Sequence, residues 1–326
     1  MPGGDAIAIF GFLLPDNNQS RQIKLLKKKM PVYYDIEKQC RVFESPEGAS
    51  RISAPQPTTA TQSASASMER VSYSNWAGVS RIPTATVDKF GNAMGDEFDL
   101  VKDGSFDNEK IYVLNCTGFP IDPYKNALKR KGFSLIEDVY APGAQTLKSI
   151  LKDTSQFWLI SGTGHPLENT VVSVIQDYFE EGHGLYLWGD NDPYFVHSNQ
   201  ISQRLFGTTM SGNSPGDQVI SLYDERKKNG VIPNHLISTG IVNIYEGGTI
   251  AEVHTNKLLT PLIYGSNGKV LAAYYDQDGK RVIIDGGFTR LYYKWDSAGT
   301  DRYIVNAAVW LVNMERFGAN RSRRTG

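Results

Sequence analysis

The chain has few cysteines, no excess of charge of either sign and no long apolar run. Its 326 residues include only two cysteines, Cys40 and Cys116, which is too few for a disulfide framework or, by themselves, a zinc site. We therefore expect reduced thiols in a cytoplasmic protein. Lys and Arg number 34, Asp and Glu number 35, and the formal net charge is −1. This balance excludes an electrostatic argument for binding nucleic acid or an acidic membrane.

The N-terminal segment AIAIFGFLL does not have the features of a membrane span or a signal peptide. No apolar run in the chain approaches the roughly 20 residues that a bilayer requires. The segment follows Asp5 and precedes the basic stretch KLLKKK, whereas a signal peptide carries its basic residues first. We interpret it as a strand or a buried segment and expect no association with membranes.

Hydrophobic residues make up 40% of the chain and charged residues 21%, as in ordinary soluble domains.

Residues 54–67 read APQPTTATQSASAS. This segment lacks the large apolar side chains needed for a core and predicts a flexible linker. The linker separates an N-terminal extension, 1–53, from the rest. In the extension, PVYYD and CRVFE predict two short strands. Residues 68–109 are predicted to be an irregular lead-in, 110–318 an α/β domain and 319–326 a basic tail.

Residues 110–207 alternate between apolar runs and amphipathic segments. IYVLN, SLIEDVYA, FWLIS and LYLW predict strands, and the segments that follow them predict helices. The first helix is predicted over 123–131, and the others are GAQTLKSILKD, LENTVVSVIQDYFEEG and SNQISQRLFG. Strands that alternate with helices at this spacing predict a doubly wound, mostly parallel sheet.

The second half of the domain predicts an added β-hairpin region. Alternating segments such as TPLIYGSNGKVLAAYYD and KRVIIDGGF contain the Gly-rich turns SNGK and QDGK, which favour hairpins. RYIVNAAVWLVNMERFG predicts a closing helix that ends at Gly318.

Three stretches resemble the class I glutamine amidotransferase-like superfamily, in particular its ThuA-like, non-amidotransferase branch. They are VLNCTGFP…ALKRKGFSLIEDVY, VVSVIQDYFEEGHGLYLWGDNDPYF and LTPLIYG…KVLAAYYDQDGKRVIIDGGFTRLYY…YIVNAAVWLVN. The resemblance covers about residues 110–315. It implies a flavodoxin-like sheet that ends in a hairpin, a final core strand with a Gly-rich tip and a last helix.

The same resemblance implies where a nucleophile would lie. In the family a catalytic cysteine sits at an elbow, the sharp turn directly after a core strand. The corresponding strand here is LYLW, so the elbow position falls at Gly189, or at Trp188. Neither side chain can attack a carbonyl. Cys116 ends the first strand and cannot replace it. The family's His-x-Glu pair is also absent, because Glu252 precedes His254 in reversed order within a hairpin strand. Glutamine hydrolysis by a thiol is therefore not expected, and the sequence favours a pseudoenzyme.

Polar residues follow the predicted parallel strands, where doubly wound sheets bind their ligands. The tips are Asn115–Gly118, Ser161–His165, Gly189–Asp192 and Asp285–Gly287. The candidate ligand-binding residues are Gly162, Thr163, Gly164, His165, Gly189, Asp190, Asn191, Asp192, Asp285, Gly286 and Arg290.

Several of these candidates have two interpretations. Asp190 and Asp192 could bind a hard cation, or the DNDP turn could satisfy backbone N–H groups. Arg290 could bind an anionic ligand, or it could pair with Asp190 or Asp285. The GTGH stretch lacks the GK[ST] ending of a phosphate loop, so no nucleotide cofactor is expected.

Three hypotheses for the function follow. The leading one is a non-catalytic module that binds a small polar ligand or a protein partner. The second is a hydrolase or isomerase that uses His165, Asp190 and Asp285 for acid–base chemistry, with metal assistance as a variant. The third is an assembly subunit whose N-terminal strand adds to the sheet edge of a neighbouring subunit. In one form of this hypothesis the neighbour is a second copy of the chain, which gives a homo-oligomer. Carboxylates engaged by backbone N–H groups would weigh against the second hypothesis.

Overall fold

The computed structural model describes residues 32–35, 40–45, 48–52, 87–92, 99–296 and 298–313. In the N-terminal extension, strands β1 (Val32–Asp35), β2 (Cys40–Ser45) and β3 (Gly48–Ile52) form an antiparallel sheet in the order β1-β2-β3. The first two are the strands that the sequence predicts, and the third is additional. AIAIFGFLL, the predicted linker 54–67 and the basic tail 319–326 lie outside the described residues, as does most of the lead-in.

The domain is built on an eight-stranded sheet that has a parallel part and an antiparallel part. Its parallel part consists of β5 (Ser134–Asp138), β4 (Lys110–Asn115), β6 (Gln156–Ile160), β7 (Gly184–Trp188) and β15 (Lys280–Asp285). Read in chain order, this is the 2-1-3-4-5 arrangement of flavodoxin-like folds. The prediction of a doubly wound, mostly parallel sheet is confirmed.

Five helices cover the two faces of this sheet. They are α1 (Pro123–Arg130), α2 (Ala144–Leu151), α3 (Asn169–Glu180), α4 (Val196–Phe206) and α5 (Thr300–Leu311). The apolar residues of α1 and α5 pack in one core, and those of α2, α3 and α4 pack in the other. Side chains of β7 alternate between these cores, with Tyr186 and Trp188 in the first and Leu185 and Leu187 in the second. The strand is therefore apolar at every position, because both of its faces are covered.

The added hairpins extend the sheet on the side of β15. Strands β13 (Thr260–Tyr264) and β14 (Val270–Gln277) are antiparallel, and β14 pairs in the same way with β15. The turn between β14 and β15 has positive φ at Asp278 (53°) and Gly279 (66°), the combination of a tight hairpin turn. The two-residue strand β10 (Gly230–Val231) closes this edge.

Two further strand pairs lie outside the large sheet. Strand β8 (Met210–Pro215) pairs with β12 (Thr249–Val253), and β9 (Val219–Ser221) pairs with β11 (Asn243–Tyr245). The sequence does not predict β8, β9 or β10, since they are short or polar and lack a clear alternation. None of the helices in the described part of the chain is both long enough and apolar enough to span a bilayer.

Candidate functional site

The tips of the parallel strands lie side by side, as the sequence predicts. The Ser161 N–H donates to the Trp188 carbonyl (3.0 Å), and the Gly189 N–H donates to the Asp285 carbonyl (2.8 Å). A Cβ atom placed on Gly162 would lie only 2.6 Å from the carbonyl carbon of Cys116. The backbones that follow β4, β6, β7 and β15 are thus in direct contact at one edge of the sheet.

The elbow position has no room for a nucleophilic side chain. A Cβ atom on Gly189 would lie 2.8 Å from Met210 Cε and 3.1 Å from Phe195 Cβ. Met210, the first residue of β8, is itself buried. Its thioether lies where a side chain at the elbow would begin.

Asp190 is fully buried and its carboxylate is engaged on both oxygens. Oδ1 accepts hydrogen bonds from the Asn191 N–H (2.8 Å) and from the Thr249 hydroxyl. Oδ2 accepts from the Thr289 N–H (3.1 Å). Burial raises the pKa of Asp190 to about 7, and these hydrogen bonds act in the opposite direction. This carboxylate joins the tips of β7 and β15 to strand β12.

Asp285 and Arg290 form a buried ion pair in which both side chains are 0% exposed. Arg290 Nη2 donates to Asp285 Oδ1 (2.8 Å), and Arg290 Nε donates to the Gly287 carbonyl (3.1 Å). Of the two interpretations of Arg290, the structure contains the pairing with Asp285. Burial raises the pKa of Asp285, and the charge of Arg290 opposes that rise.

Two tyrosine hydroxyls complete the surroundings of Asp285. Tyr303 and Tyr186 donate to Oδ2 at 2.8 and 3.3 Å, and the Gly287 N–H donates to Oδ1 at 3.1 Å. Four donors therefore surround one carboxylate, which satisfies a charge that would otherwise be costly to bury.

The tip after β6 is held by a histidine on α4. The Gly162 N–H donates to His197 Nδ1 (3.2 Å), so His197 Nε2 carries the proton that it donates to the His165 carbonyl (3.0 Å). Burial lowers the pKa of His197, which favours this neutral form. His197 thus contacts the backbone of His165, which is itself an exposed residue.

The candidate residues divide by accessibility. Thr163, Gly164, His165 and Asp192 are exposed, whereas Gly162, Gly189, Asp190, Asn191, Asp285, Gly286 and Arg290 are buried. Asp190 and Asp192 therefore do not share one surface. Within the described residues, no group of three or more His, Cys, Asp or Glu side chains could hold a metal ion.

Cys116 is partly buried and unpaired with any other cysteine of the described residues. Burial raises the pKa of its thiol to about 12, so the thiolate form needed for nucleophilic attack is scarce at neutral pH.

Thr249 and Thr289 are site residues that the sequence analysis did not identify. Both contact Asp190, which precedes them by 59 and 99 residues. No local motif marks them, because both reach Asp190 through tertiary packing: Thr249 begins β12, which also bonds to the tip of β15 (Ala251 N–H to the Gly286 carbonyl, 2.8 Å), and Thr289 follows that tip.

Comparison of the sequence with protein-family models finds no match, and comparison with curated protein sequences finds none either. Among solved structures, the chain is similar to a protein from Thermoplasma acidophilum that is provisionally named as a GMP synthase component. The two share 12% identity over 67% of this chain and 98% of that one, with a TM-score of 0.42. A ThuA-like protein from Bacteroides uniformis has 13% identity over 63% of this chain and 91% of that one, with a TM-score of 0.43.

A β-galactosidase from Rahnella sp. R3 is also similar, at 8% identity over 63% of this chain and 32% of that one, with a TM-score of 0.41. Structure neighbours of the chain thus include proteins with class I amidotransferase-like folds. The assignment of an α/β fold rests on the order and direction of the strands in the sheet itself.

Proposed function

We propose that this chain is a protein-interaction module on an amidotransferase-like framework, and that it lacks thiol chemistry at the elbow. The space occupied by Met210 next to Gly189 supports the second part, because a nucleophilic side chain there would require a rearrangement of β8. Cys116 does not offer a substitute, since its thiol is held in the protonated form.

The engagement of the two buried aspartates weighs against acid–base catalysis by His165, Asp190 and Asp285. Each aspartate accepts at least one backbone N–H bond, and Asp285 also pairs with Arg290. In the described part of the chain, no hydrogen bond or ion pair connects the His165 side chain with either aspartate. A shared reaction centre needs these groups within reach of one reacting atom.

The edge of the large sheet at β5 carries the interaction proposal. Within the part of the chain that the structure describes, β5 is the last strand on its side, so half of its backbone hydrogen-bonding groups face away from the sheet. Ile136 is 39% exposed, and Val139 and Tyr140, directly after the strand, are 47% and 75% exposed. The strand SLIED contains neither the lysine nor the proline that commonly protects an edge from pairing.

The occupant of this edge that we propose is β5 of a second copy. In an antiparallel pair with its twofold axis at Ile136, Ser134 would face Asp138, Leu135 would face Glu137, and Ile136 would face its own copy. No like charges would oppose each other, so the pairing avoids the destabilisation that opposed like charges cause. Glu137 is already neutralised by Lys125, and Asp138 accepts from the Tyr112 hydroxyl (2.8 Å).

The oligomeric state of the full chain tests this proposal. Light scattering after size exclusion should detect a concentration-dependent dimer, and Ile136→Lys should make the chain monomeric. Leu236→Lys is the matched control. Leu236 is also exposed (49%), but it lies in a short 3-10 helix outside the large sheet and far from β5 in the sequence. A monomeric wild-type chain at every concentration, or a dimer that survives Ile136→Lys, would refute the proposal.

Binding of a small polar ligand is the second candidate function. It is supported by the exposure of four of the predicted binding residues, Thr163, Gly164, His165 and Asp192. Thermal unfolding with divalent metals, sugars, nucleotides and amino acids tests it, with wild type compared against Asp192→Ala. A ligand at 100 times its Kd should stabilise the native state by about 2.7 kcal/mol. Stabilisation that persists in Asp192→Ala would exclude Asp192 from the binding site.

A further inference from the structure

Three side chains of different chemistry meet on the surface of the β8–β12 pair. Ser211 Oγ lies 2.6 Å from His254 Nε2, and His254 Nδ1 lies 3.9 Å from Glu252 Oε1. Ser211 is directly opposite Glu252 in the strand register. His254 directly follows β12 and is two residues beyond Glu252, and side chains two residues apart in extended backbone project from the same face. The hydroxyl of Ser211 thus contacts the imidazole of His254, and the imidazole in turn lies next to the carboxylate of Glu252.

The backbone on either side of this group is anchored. The His254 N–H donates to the Thr209 carbonyl (3.0 Å). Asn199, on α4, holds Met210 twice: the Met210 N–H donates to Asn199 Oδ1 (2.6 Å), and Asn199 Nδ2 donates to the Met210 carbonyl (2.8 Å). Ser211 and His254 therefore project from segments fixed to a helix, which is the support that a catalytic geometry requires.

The group lies beside the elbow. The Asp192 N–H donates to the Gly212 carbonyl (2.9 Å), and Gly212 follows Ser211 directly. The strand register shifts between Ile250 and Glu252, and Gly212 has a φ of +100°. Such a bulge turns the neighbouring side chain away from its regular direction. Apart from the two chain neighbours of Gly212, no atom of the described residues lies within 4 Å of the position that its Cβ would take, which leaves space for a substrate next to the serine.

From this geometry we infer that Ser211, His254 and Glu252 form a serine-hydrolase centre for carboxylic esters with an accessible carbonyl. Ser211 Oγ attacks the carbonyl carbon while its proton moves to His254 Nε2. The tetrahedral intermediate then expels the alcohol, which takes the proton from His254 and leaves an acyl-Ser211. Water attacks this ester with His254 again accepting the proton, and the acid is released with Ser211 restored.

Glu252 acts as a positioning residue in this centre. Its carboxylate is 32% exposed and is also approached by Lys269 Nζ (3.7 Å). The 3.9 Å separation from His254 Nδ1 is an ion-pair distance, and catalytic hydrogen bonds are often long before substrate binds. The carboxylate would stabilise the imidazolium that forms when His254 accepts the serine proton. The inference does not depend on association through β5.

Covalent labelling of the full-length protein tests the inference directly. Diisopropyl fluorophosphate phosphorylates an activated serine with loss of fluoride, and the serine proton is taken by the base. We expect one label per chain, located on Ser211 by peptide mass mapping, and no label in Ser211→Ala. Ser214→Ala is the matched control on the same strand and should be labelled like wild type.

Variants of the other two residues separate catalysis from folding. A general base contributes about 10²–10⁴-fold, so His254→Ala should slow labelling and p-nitrophenyl acetate turnover by at least 10²-fold, and added imidazole should restore part of the rate. Glu252→Gln should slow both and change the pH profile of labelling, and Glu252→Asp should recover most of the rate.

Thermal unfolding checks that each variant is folded. Absence of a label on Ser211, equal labelling of Ser211 and Ser214, or a labelling rate unchanged in His254→Ala would each overturn the inference.

Discussion

Met210 Cε lies 2.8 Å from the position that a Cβ atom would take on Gly189. The residue that begins β8 thus occupies the space in which an elbow side chain would stand. The glycine and the methionine form a matched pair, in which the absence of one side chain allows the other to be buried.

A double-mutant cycle tests this pairing. Gly189→Ala should destabilise the fold by roughly 1–3 kcal/mol, because an added methyl group overpacks a filled space. Met210→Ala removes the obstruction, so the double variant should be less destabilised than the sum of the two single variants. Urea unfolding measures all three. Additive effects would show that the two side-chain positions do not compete for space.

Loss of Arg290 should be far more costly than loss of an arginine on the surface. Arg290→Met leaves Asp285 buried without its cation, for which we expect a destabilisation of about 3–5 kcal/mol. Arg130→Met is the control: Arg130 pairs with Asp301 at 2.6 Å, but the two side chains are 51% and 23% exposed. That pair should contribute no more than about 1 kcal/mol. Equal losses in denaturant unfolding would contradict the structural role of the buried pair.

Asp190 should make the stability of the chain depend on pH. Its pKa in the folded chain is about 7, whereas an unfolded aspartate has a pKa of about 3.9. Between these values the native state binds more protons than the unfolded state, so the free energy of unfolding falls as the pH rises. The fall is on the order of 4 kcal/mol and levels off above the folded-state pKa. Asp190→Asn should flatten this part of the profile, as measured by urea unfolding at a series of pH values.

Two glycines of the same loop should respond differently to substitution. Gly162→Ala would place a methyl group 2.6 Å from the carbonyl carbon of Cys116, and we expect it to destabilise the fold by roughly 1–3 kcal/mol. In Gly164→Ala the nearest atom, His197 Cε1, would lie at an ordinary 3.8 Å, so the change should stay within about 0.5 kcal/mol. Thermal unfolding distinguishes them. A similar loss of stability in both variants would mean that the close approach of Gly162 to Cys116 is not the cause.

The sequence by itself determined the doubly wound, parallel part of the domain. Apolar runs such as IYVLN and amphipathic segments such as VVSVIQDYFEE are local signals, since the periodicity of side-chain exposure follows from each element's own geometry. The order of the elements and the short connections then leave few topologies for a parallel sheet. Gly189 could be recognised as lacking a nucleophile because its identity alone excludes one.

Only the tertiary structure decided which polar residues are available for chemistry. Asp190 and Asp192 are two residues apart, yet the first is enclosed by Thr249 and Thr289 and the second is exposed. Ser211 and His254 are separated by 43 residues and meet through the pairing of two strands. Burial and long-range strand register depend on the packing of distant segments, and no local pattern in the sequence carries that information.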